Sequence, residues 1–354
     1  MTAGRPLRVL VATPLGEGGR GGIDRMMDEV RQGLAAHPPP GLAVTFAATR
    51  GQGSLAHSPG LMLRALARLA RRPDVLHLNL SSRGSTWRKL ALAAAARRLG
   101  VPTVVHLHGS AFDTYWDAAP APLRALIRDL FAKAARVIVL GERWRAIVAT
   151  RVPESAGRIV VLPNAAPAAE PACGGPVPTI LFLGRLGPRK GVPQLVAALA
   201  ALPPDPPWRA VLAGDGDREG VARDLAHHGL SDRVALPGWL DEAAVRRQLA
   251  EADILALPSF AENLPMAVIE AFAHGLAVVA TPVGAVEDLV ADGRTGLLVP
   301  PGDVAALSHA LGRLVAEPAL RASLGAAARV VHRERLEVGR YVERLAAIWH
   351  EAAA

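Results

Sequence analysis

A strand, a glycine-rich turn and a helix follow one another at two places in this chain, from Leu7–Leu15 into Ile23–Ala36 and from Thr179–Leu183 into Val192–Leu202. Each opens a long region in which short apolar runs alternate with helical periodicity. That alternation predicts parallel strands joined by crossover helices, so the expected fold class is α/β with two doubly wound parallel sheets. Between the regions, Ala165–Pro178 is rich in Ala, Pro and Gly and lacks apolar periodicity, which marks a linker. The organisation predicted is a first domain over 1–165, a linker over 166–178, a second domain over 179–335 and a terminal helix over 336–354. A length of 354 residues with 51% hydrophobic content supplies cores for two such domains. Ligands of these sheets bind outside the carboxyl ends of the strands, here in a cleft that the two domains face.

Two glutamates with seven residues between them, Glu262 and Glu270, lie in Phe260–Gly275. Asp253–Ser259 reads as a buried strand ending in a turn, and Pro265 fits the first turn of a helix, where its missing N–H costs nothing. Glu262 then precedes the helix and Glu270 lies about a turn and a half inside it. Carboxylates beside free helix N–H groups suit a ligand that carries both hydroxyls and phosphate. Arg185 and Lys190 sit on the turn after the strand Thr179–Leu183, well placed to grip a diphosphate. The alternative is a pair of solvated loop charges. The chain has 3 lysines against 37 arginines, so a lysine in this loop is a selective choice of a compact ammonium.

Together these segments resemble the retaining glycosyltransferases of family 4, which have the GT-B architecture of two Rossmann-like domains. The likeness covers most of residues 174–335. It runs through Gly184-Arg-Leu with Lys190-Gly, Ala213-Gly-Asp-Gly216, Leu236-Pro-Gly-Trp239, Leu257-Pro-Ser259, the two glutamates, Thr281-Pro-Val-Gly284 and Asp292–Asp303. It implies transfer of a sugar from a nucleotide diphosphate donor, with no cofactor and no metal. By this likeness Arg185 and Lys190 bind the diphosphate, Glu262 the sugar hydroxyls and Glu270 the ribose, with Asn263, Leu264 and Met266 on the donor side. Many members have Gly where this chain has Pro265, so the amides of Leu264 and Met266 must carry the donor contacts there. Retention with attack on the face the nucleotide leaves is implied, a donor phosphate oxygen taking the acceptor proton. A GT-B nucleotide-sugar 2-epimerase and a catalytically silent binding protein are the competing readings; the loop at 81–89 and the intact charged set argue against them.

Val104–Ser110 reads as a strand that places His108 at a carboxyl end, while His106 lies deeper in the sheet and packs. A lone histidine is usually structural, but His108 resembles a family histidine that contacts the transferred sugar. Leu80–Lys89 resembles an acceptor-side loop of enzymes that build bacterial surface polysaccharides, with Arg83 and Ser85 as its candidates. Ser85 or Thr86 also qualifies as a helix cap. The terminal helix, Val338–His350, has apolar residues at helical spacing and by the same likeness crosses back to the first domain.

Gly16–Gly21 matches the dinucleotide fingerprint G-x-G-x-x-G. The second strand, Ala43–Arg50, ends without the acid that binds an adenosine ribose, although Arg50 could answer a 2′-phosphate. In the glycosyltransferase reading the amides around Gly21 and Gly22 serve the donor phosphate instead. Asp215 and Asp217 form a pair of the kind that holds a divalent ion, but their setting resembles the metal-free Gly-Asp-Gly turn of the second GT-B domain.

Residues 1–165 hold 23 Arg plus Lys against 10 Asp plus Glu, and the remainder 17 against 22. The basic first domain carries clusters at Arg64, Arg68, Arg71, Arg72 and at Arg83, Arg88, Lys89, Arg97, Arg98, read either as a solvated face or as an attraction to anionic membrane or a phosphate-bearing acceptor. The acceptor expected is a glycan or a polyprenyl-diphosphate-linked sugar. Aromatics are only 4% and do not interleave with the clusters, which argues against nucleic acid. One cysteine, Cys173, excludes an internal disulfide, and no run approaches membrane-spanning length. The expected location is the cytoplasm, with peripheral contact at the inner face of the membrane.

Overall fold

The computed structural model describes residues 5–19, 22–52 and 57–354. The chain divides into two compact units, Met1–Ala165 with Val338–Ala354, and Ala166–Glu337. In the first unit, β1 (Leu7–Thr13), β2 (Leu42–Ala48), β3 (Val75–Leu80), β4 (Thr103–Leu107), β5 (Arg136–Val139) and β6 (Ile159–Val161) form one parallel sheet in the order β2-β1-β3-β4-β5-β6. Helices α1 (Gly22–Ala36), α2 (Ser58–Leu69), α3 (Gly84–Arg98), α4 (Phe112–Ala118), α5 (Ala121–Ala132) and α6 (Glu142–Arg151) connect the strands. Every residue of β3 and β4 is buried, as expected of strands covered on both faces. Trp116 stacks on Phe131 with ring centroids 5.2 Å apart in the core.

The second unit repeats the plan with β7 (Thr179–Leu183), β8 (Arg209–Ala213), β9 (Val234–Gly238), β10 (Ile254–Leu257), β11 (Ala277–Ala280) and β12 (Leu297–Leu298), in the order β12-β11-β10-β7-β8-β9. Its helices are α7 (Val192–Ala200), α8 (Arg218–His227), α9 (Glu242–Glu251), α10 (Met266–His274), α11 (Val304–Ala316) and α12 (Pro318–Val331). In this sheet the chain builds outward from β7 through β8 and β9, then turns back to add β10 on the other side. The reversal lies between β7 and β10, and in the first unit between β1 and β3; these are the positions where doubly wound sheets bind ligands.

The terminal helix, α13 (Val338–Ala353), belongs to the first unit, where it packs on α1, β3 and β4. Tyr341, Val342, Leu345, Ala346, Ile348 and Trp349 form its buried face at helical spacing. The Ala- and Pro-rich stretch after Ala165 has no helix, yet it is tied to the second unit. Ala166 N–H donates to Leu336, Ala172 to His274 and Cys173 to Ala250, at 2.8–3.0 Å, and the Arg329 guanidinium donates to Ala169 at 3.0 Å.

Candidate functional site

The loop after β7 carries Arg185 and Lys190, and the loop after β10 carries Glu262. What brings these loops together is backbone contact. Gly191 is left-handed at φ 70°, and a methyl on it would overlap the carbonyl of Pro258. Phe260 N–H donates to Arg189 at 2.9 Å, and the Arg189 guanidinium donates to the carbonyl of Ala261 at 2.8 Å. With the loops interlocked, the Lys190 ammonium forms an ion pair with Oε1 of Glu262. Ser259, wholly buried at the end of β10, donates its hydroxyl to the same oxygen at 2.8 Å. Thr281, at the end of β11, in turn donates to the carbonyl of Ser259.

The side chains of Lys190 and Glu262 are only 15% and 9% exposed. Removing one partner of a pair so withdrawn from water leaves the other charge uncompensated, at a cost of about 3–5 kcal/mol. The two therefore hold each other in place. Oε1 of Glu262 takes both the Lys190 ammonium and the Ser259 hydroxyl. Glu270, 7% exposed, is the fifth residue of α10, about 6 Å along the axis from Met266. Arg185 stands exposed at the end of β7. Asn263 and Leu264 are buried, and the carbonyl of Asn263 accepts from Ala285 N–H at 2.7 Å. Pro265 is placed one residue earlier than predicted. It is the extended residue before α10, at φ −72° and ψ 128°, and the helix starts at Met266. Its ring then blocks no helical bond, and the first N–H groups of α10 have no partner within the helix.

In the first unit, the loop after β1 is held by acids. Asp24 Oδ1 accepts from the amides of Leu15 and Gly16 at 2.9 and 3.1 Å, and Asp28 Oδ2 from Gly18 at 2.9 Å. Burial raises the Asp24 carboxyl above its ordinary range, and these hydrogen bonds work against the rise. Two amides of the fingerprint loop, Gly16 and Gly18, and that of Leu15 before it are thus already engaged. Gly22 opens α1 and is exposed; Gly21 lies outside the described residues.

His108 follows β4 and is half-buried, its Nε2 2.9 Å from Oδ1 of Asn79 on β3. Asn79 itself donates from Nδ2 to the carbonyl of Ala12 on β1, 3.3 Å away. His106 is fully buried, as its packing role requires, with Nδ1 3.3 Å from Nε2 of His77. Burial pushes His77 and His108 down to about 3 and lowers His106 well below its usual value. Asn79 and His77 were not singled out from the sequence. Their signal is polar residues at alternate positions of an otherwise apolar strand, Val75-Leu-His-Leu-Asn-Leu80.

Two further expectations are corrected. Lys89 does not belong to a surface cluster: it is wholly buried, with Nζ 3.0 Å from Thr49 Oγ1, and burial lowers its ammonium to about 7. Ser85 is no helix cap. The position before α3 is Arg83, exposed and left-handed at φ 56°, while the buried Ser85 hydroxyl accepts from Ser81 N–H at 3.2 Å and stiffens the loop. Thr86 donates to the Ser81 carbonyl at 2.9 Å from the other side. Asp217 is the cap of α8, accepting from Gly220 N–H at 2.9 Å.

Comparison with known proteins identifies the family and the fold. Residues 3–165 match the family model for a glycosyl transferase 4-like domain, and residues 177–317 that for glycosyl transferases group 1. The chain is 32% identical to a 2-deoxystreptamine glucosyltransferase of Streptomyces kanamyceticus over 70% of its own length and 69% of that enzyme. It is 31% identical to a 2-deoxystreptamine N-acetyl-D-glucosaminyltransferase of Streptomyces fradiae over 72% of its length and 66% of that enzyme. Among solved structures, Anabaena HepE in complex with UDP and glucose superposes with a TM-score of 0.75 at 19% identity, covering 96% of this chain and 98% of HepE. Sucrose-phosphate synthase from Thermosynechococcus elongatus gives 0.79 at 20% identity, over 97% and 98%. The two sheets are therefore those of a GT-B glycosyltransferase, and the chain belongs to the group 1 glycosyltransferases, family 4.

Proposed function

We propose that this glycosyltransferase moves a sugar, with retention of anomeric configuration, from a nucleoside diphosphate sugar to a glycan or polyprenyl-diphosphate-linked acceptor. The observation that carries the reading is the contact between Lys190 and Glu262 at the switch point of the second sheet. It sets a cation for the diphosphate beside a carboxylate for the sugar hydroxyls, the order in which such a donor presents its groups. Arg185 is a second cation at the same strand end, Glu270 takes the ribose, and backbone groups from Asn263 to Met266 meet the donor at the start of α10. As the bond to the nucleotide breaks, negative charge gathers on the departing diphosphate. Arg185, Lys190 and the helix N-terminus oppose it without reorganising, an effect worth several kcal/mol in comparable sites. A donor phosphate oxygen takes the acceptor proton, so no side chain need act as base. Within the first unit, His108 is our candidate for a sugar hydroxyl, Gly22 for a phosphate, and Arg83 for the acceptor, on a loop stiffened by Ser85.

The relatives that act on 2-deoxystreptamine and the HepE complex with UDP support a nucleotide-sugar donor. Asp217 being spent on a helix cap supports chemistry that needs no metal. No helix among the described residues is long and apolar enough to cross a membrane. The exposed arginines of the first unit favour peripheral contact with anionic lipid. The test is transfer from UDP-, GDP- and ADP-hexoses to 2-deoxystreptamine and to polyprenyl-diphosphate sugars, with EDTA present and the new linkage read by proton NMR. A retained linkage formed in EDTA is expected. An inverted linkage would overturn retention, and activity lost in EDTA and restored by Mn²⁺ would overturn metal independence.

A further inference from the structure

We propose that Asn79 is a positioning residue that holds His108 in its Nε2–H tautomer and leaves Nδ1 as a hydrogen-bond acceptor. The groups around Asn79 have roles that are not interchangeable. The carbonyl of Ala12 can only accept, so the Asn79 atom that approaches it is the amide nitrogen, and this fixes which end of the side chain is Oδ1. Oδ1 can also only accept, so the His108 nitrogen 2.9 Å from it carries a hydrogen. In a neutral imidazole the other nitrogen, Nδ1, then bears a lone pair.

The neighbours of His108 keep it neutral. The indole N–H of Trp349 on α13 donates to Nδ1 of His77 at 3.0 Å, so the hydrogen of His77 sits on Nε2 and points at Nδ1 of His106. Each of these rings is assigned by a group that cannot reverse its role. The ring of His106 lies against that of His108, centroids 3.9 Å apart. Among the described residues, the titratable groups that lie against His108 or disfavour its charge are His77 on β3, His106 on β4 and Lys89 on α3. Nothing there favours an imidazolium. Asn79 does this from the central position of the sheet, bridging β1 and β4 across the reversal.

The tautomer follows from the hydrogen bonds alone; its use rests on the proposed function. With Nδ1 as acceptor, His108 takes a hydrogen bond from a hydroxyl of the transferred sugar and gives up no proton. The test labels the histidines of the full chain with ¹⁵N and reads long-range ¹H–¹⁵N correlations of the rings, His108 being assigned by the signal lost in His108→Gln. Wild type is expected to show His108 only as the Nε2–H tautomer between pH 8 and pH 5. Asn79→Ala is expected to give a mixture of tautomers, with an unchanged near-ultraviolet circular-dichroism spectrum as the control for folding. Asn79→Asp keeps an oxygen acceptor, so it retains the tautomer, while its charge raises the titration of His108 by at least about one pH unit. An Nδ1–H tautomer in wild type, or a single unchanged tautomer in Asn79→Ala, would overturn the assignment. In turnover, Asn79→Ala is expected to lower kcat at least about tenfold with donor KM changed less than about threefold. Unchanged turnover with a mixed tautomer would overturn the positioning role. Failure of wild type to transfer sugar would instead count against the proposed function, and the NMR result would still decide the tautomer.

Discussion

At the scale of single residues, the site depends on charges held in place before any ligand arrives. Lys190 and Glu262 are both nearly withdrawn from water and paired. A lysine so placed meets the charge of a departing diphosphate with no reorientation. Lys190→Ala is expected to lower kcat at least about tenfold, roughly 1.4 kcal/mol, and near-normal turnover would remove it from the mechanism. In the proposed site Glu270 takes the ribose, so Glu270→Ala is expected to raise donor KM more than it lowers kcat; steady-state kinetics with varied donor decides this. The buried histidines add a pH dependence of stability. His77 and His108 titrate near 3 when folded and near 6.5 when unfolded. Below about pH 6.5 the unfolded chain therefore binds more protons. The stability they contribute is complete above that pH and is lost as pH falls toward 3, by up to about 1.4 kcal/mol per pH unit for each ring. Urea unfolding between pH 7.5 and 4.5 should show this fall, and His108→Gln should flatten it by one proton; equal slopes in the two proteins would contradict the buried, neutral state.

At the scale of elements, the loops matter more than the strands. Gly284, after β11, is left-handed at φ 67°, and a methyl there would overlap the carbonyls of Glu262 and Asn263. Gly284→Ala must displace the backbone that carries Glu262. It is expected to weaken donor binding at least about tenfold and to destabilise by about 1–3 kcal/mol; donor affinity equal to wild type would show that this backbone is not under tight control. The elements were largely legible because their signals are local: β7, β10 and α10 follow from apolar runs, a proline and helical spacing. The acid and cation pairs were legible for the same reason. What was hidden depends on contacts distant in sequence. Lys89 reads as a surface cation because five of the 15 residues of α3 are alanine and its arginines flank Lys89, which gives little contrast between its faces. Yet Ser85, Thr86, Lys89, Leu92, Ala93 and Ala96 are its buried residues, and from Thr86 onward their spacing of three and four is visible once the buried face is known. Asn79 and His108 meet only because β3 and β4 are neighbours in the sheet, a pairing that no local pattern states.

At the scale of the molecule, the repeated strand, turn and helix announced two parallel sheets, and each was found with six strands. What the repeat did not announce is the difference between them. The first sheet reverses direction between its first and third strands and the second between its first and fourth, so the loops that meet at each reversal differ. In the second, Lys190 after the first strand pairs with Glu262 after the fourth, and the donor assignment turns on this contact. The most direct test is calorimetric titration of the full chain with UDP-, GDP- and ADP-sugars, alongside Lys190→Ala. The account predicts saturable binding of one nucleotide sugar, at least about tenfold weaker in the variant. No binding across the panel, or equal binding by both proteins, would contradict it.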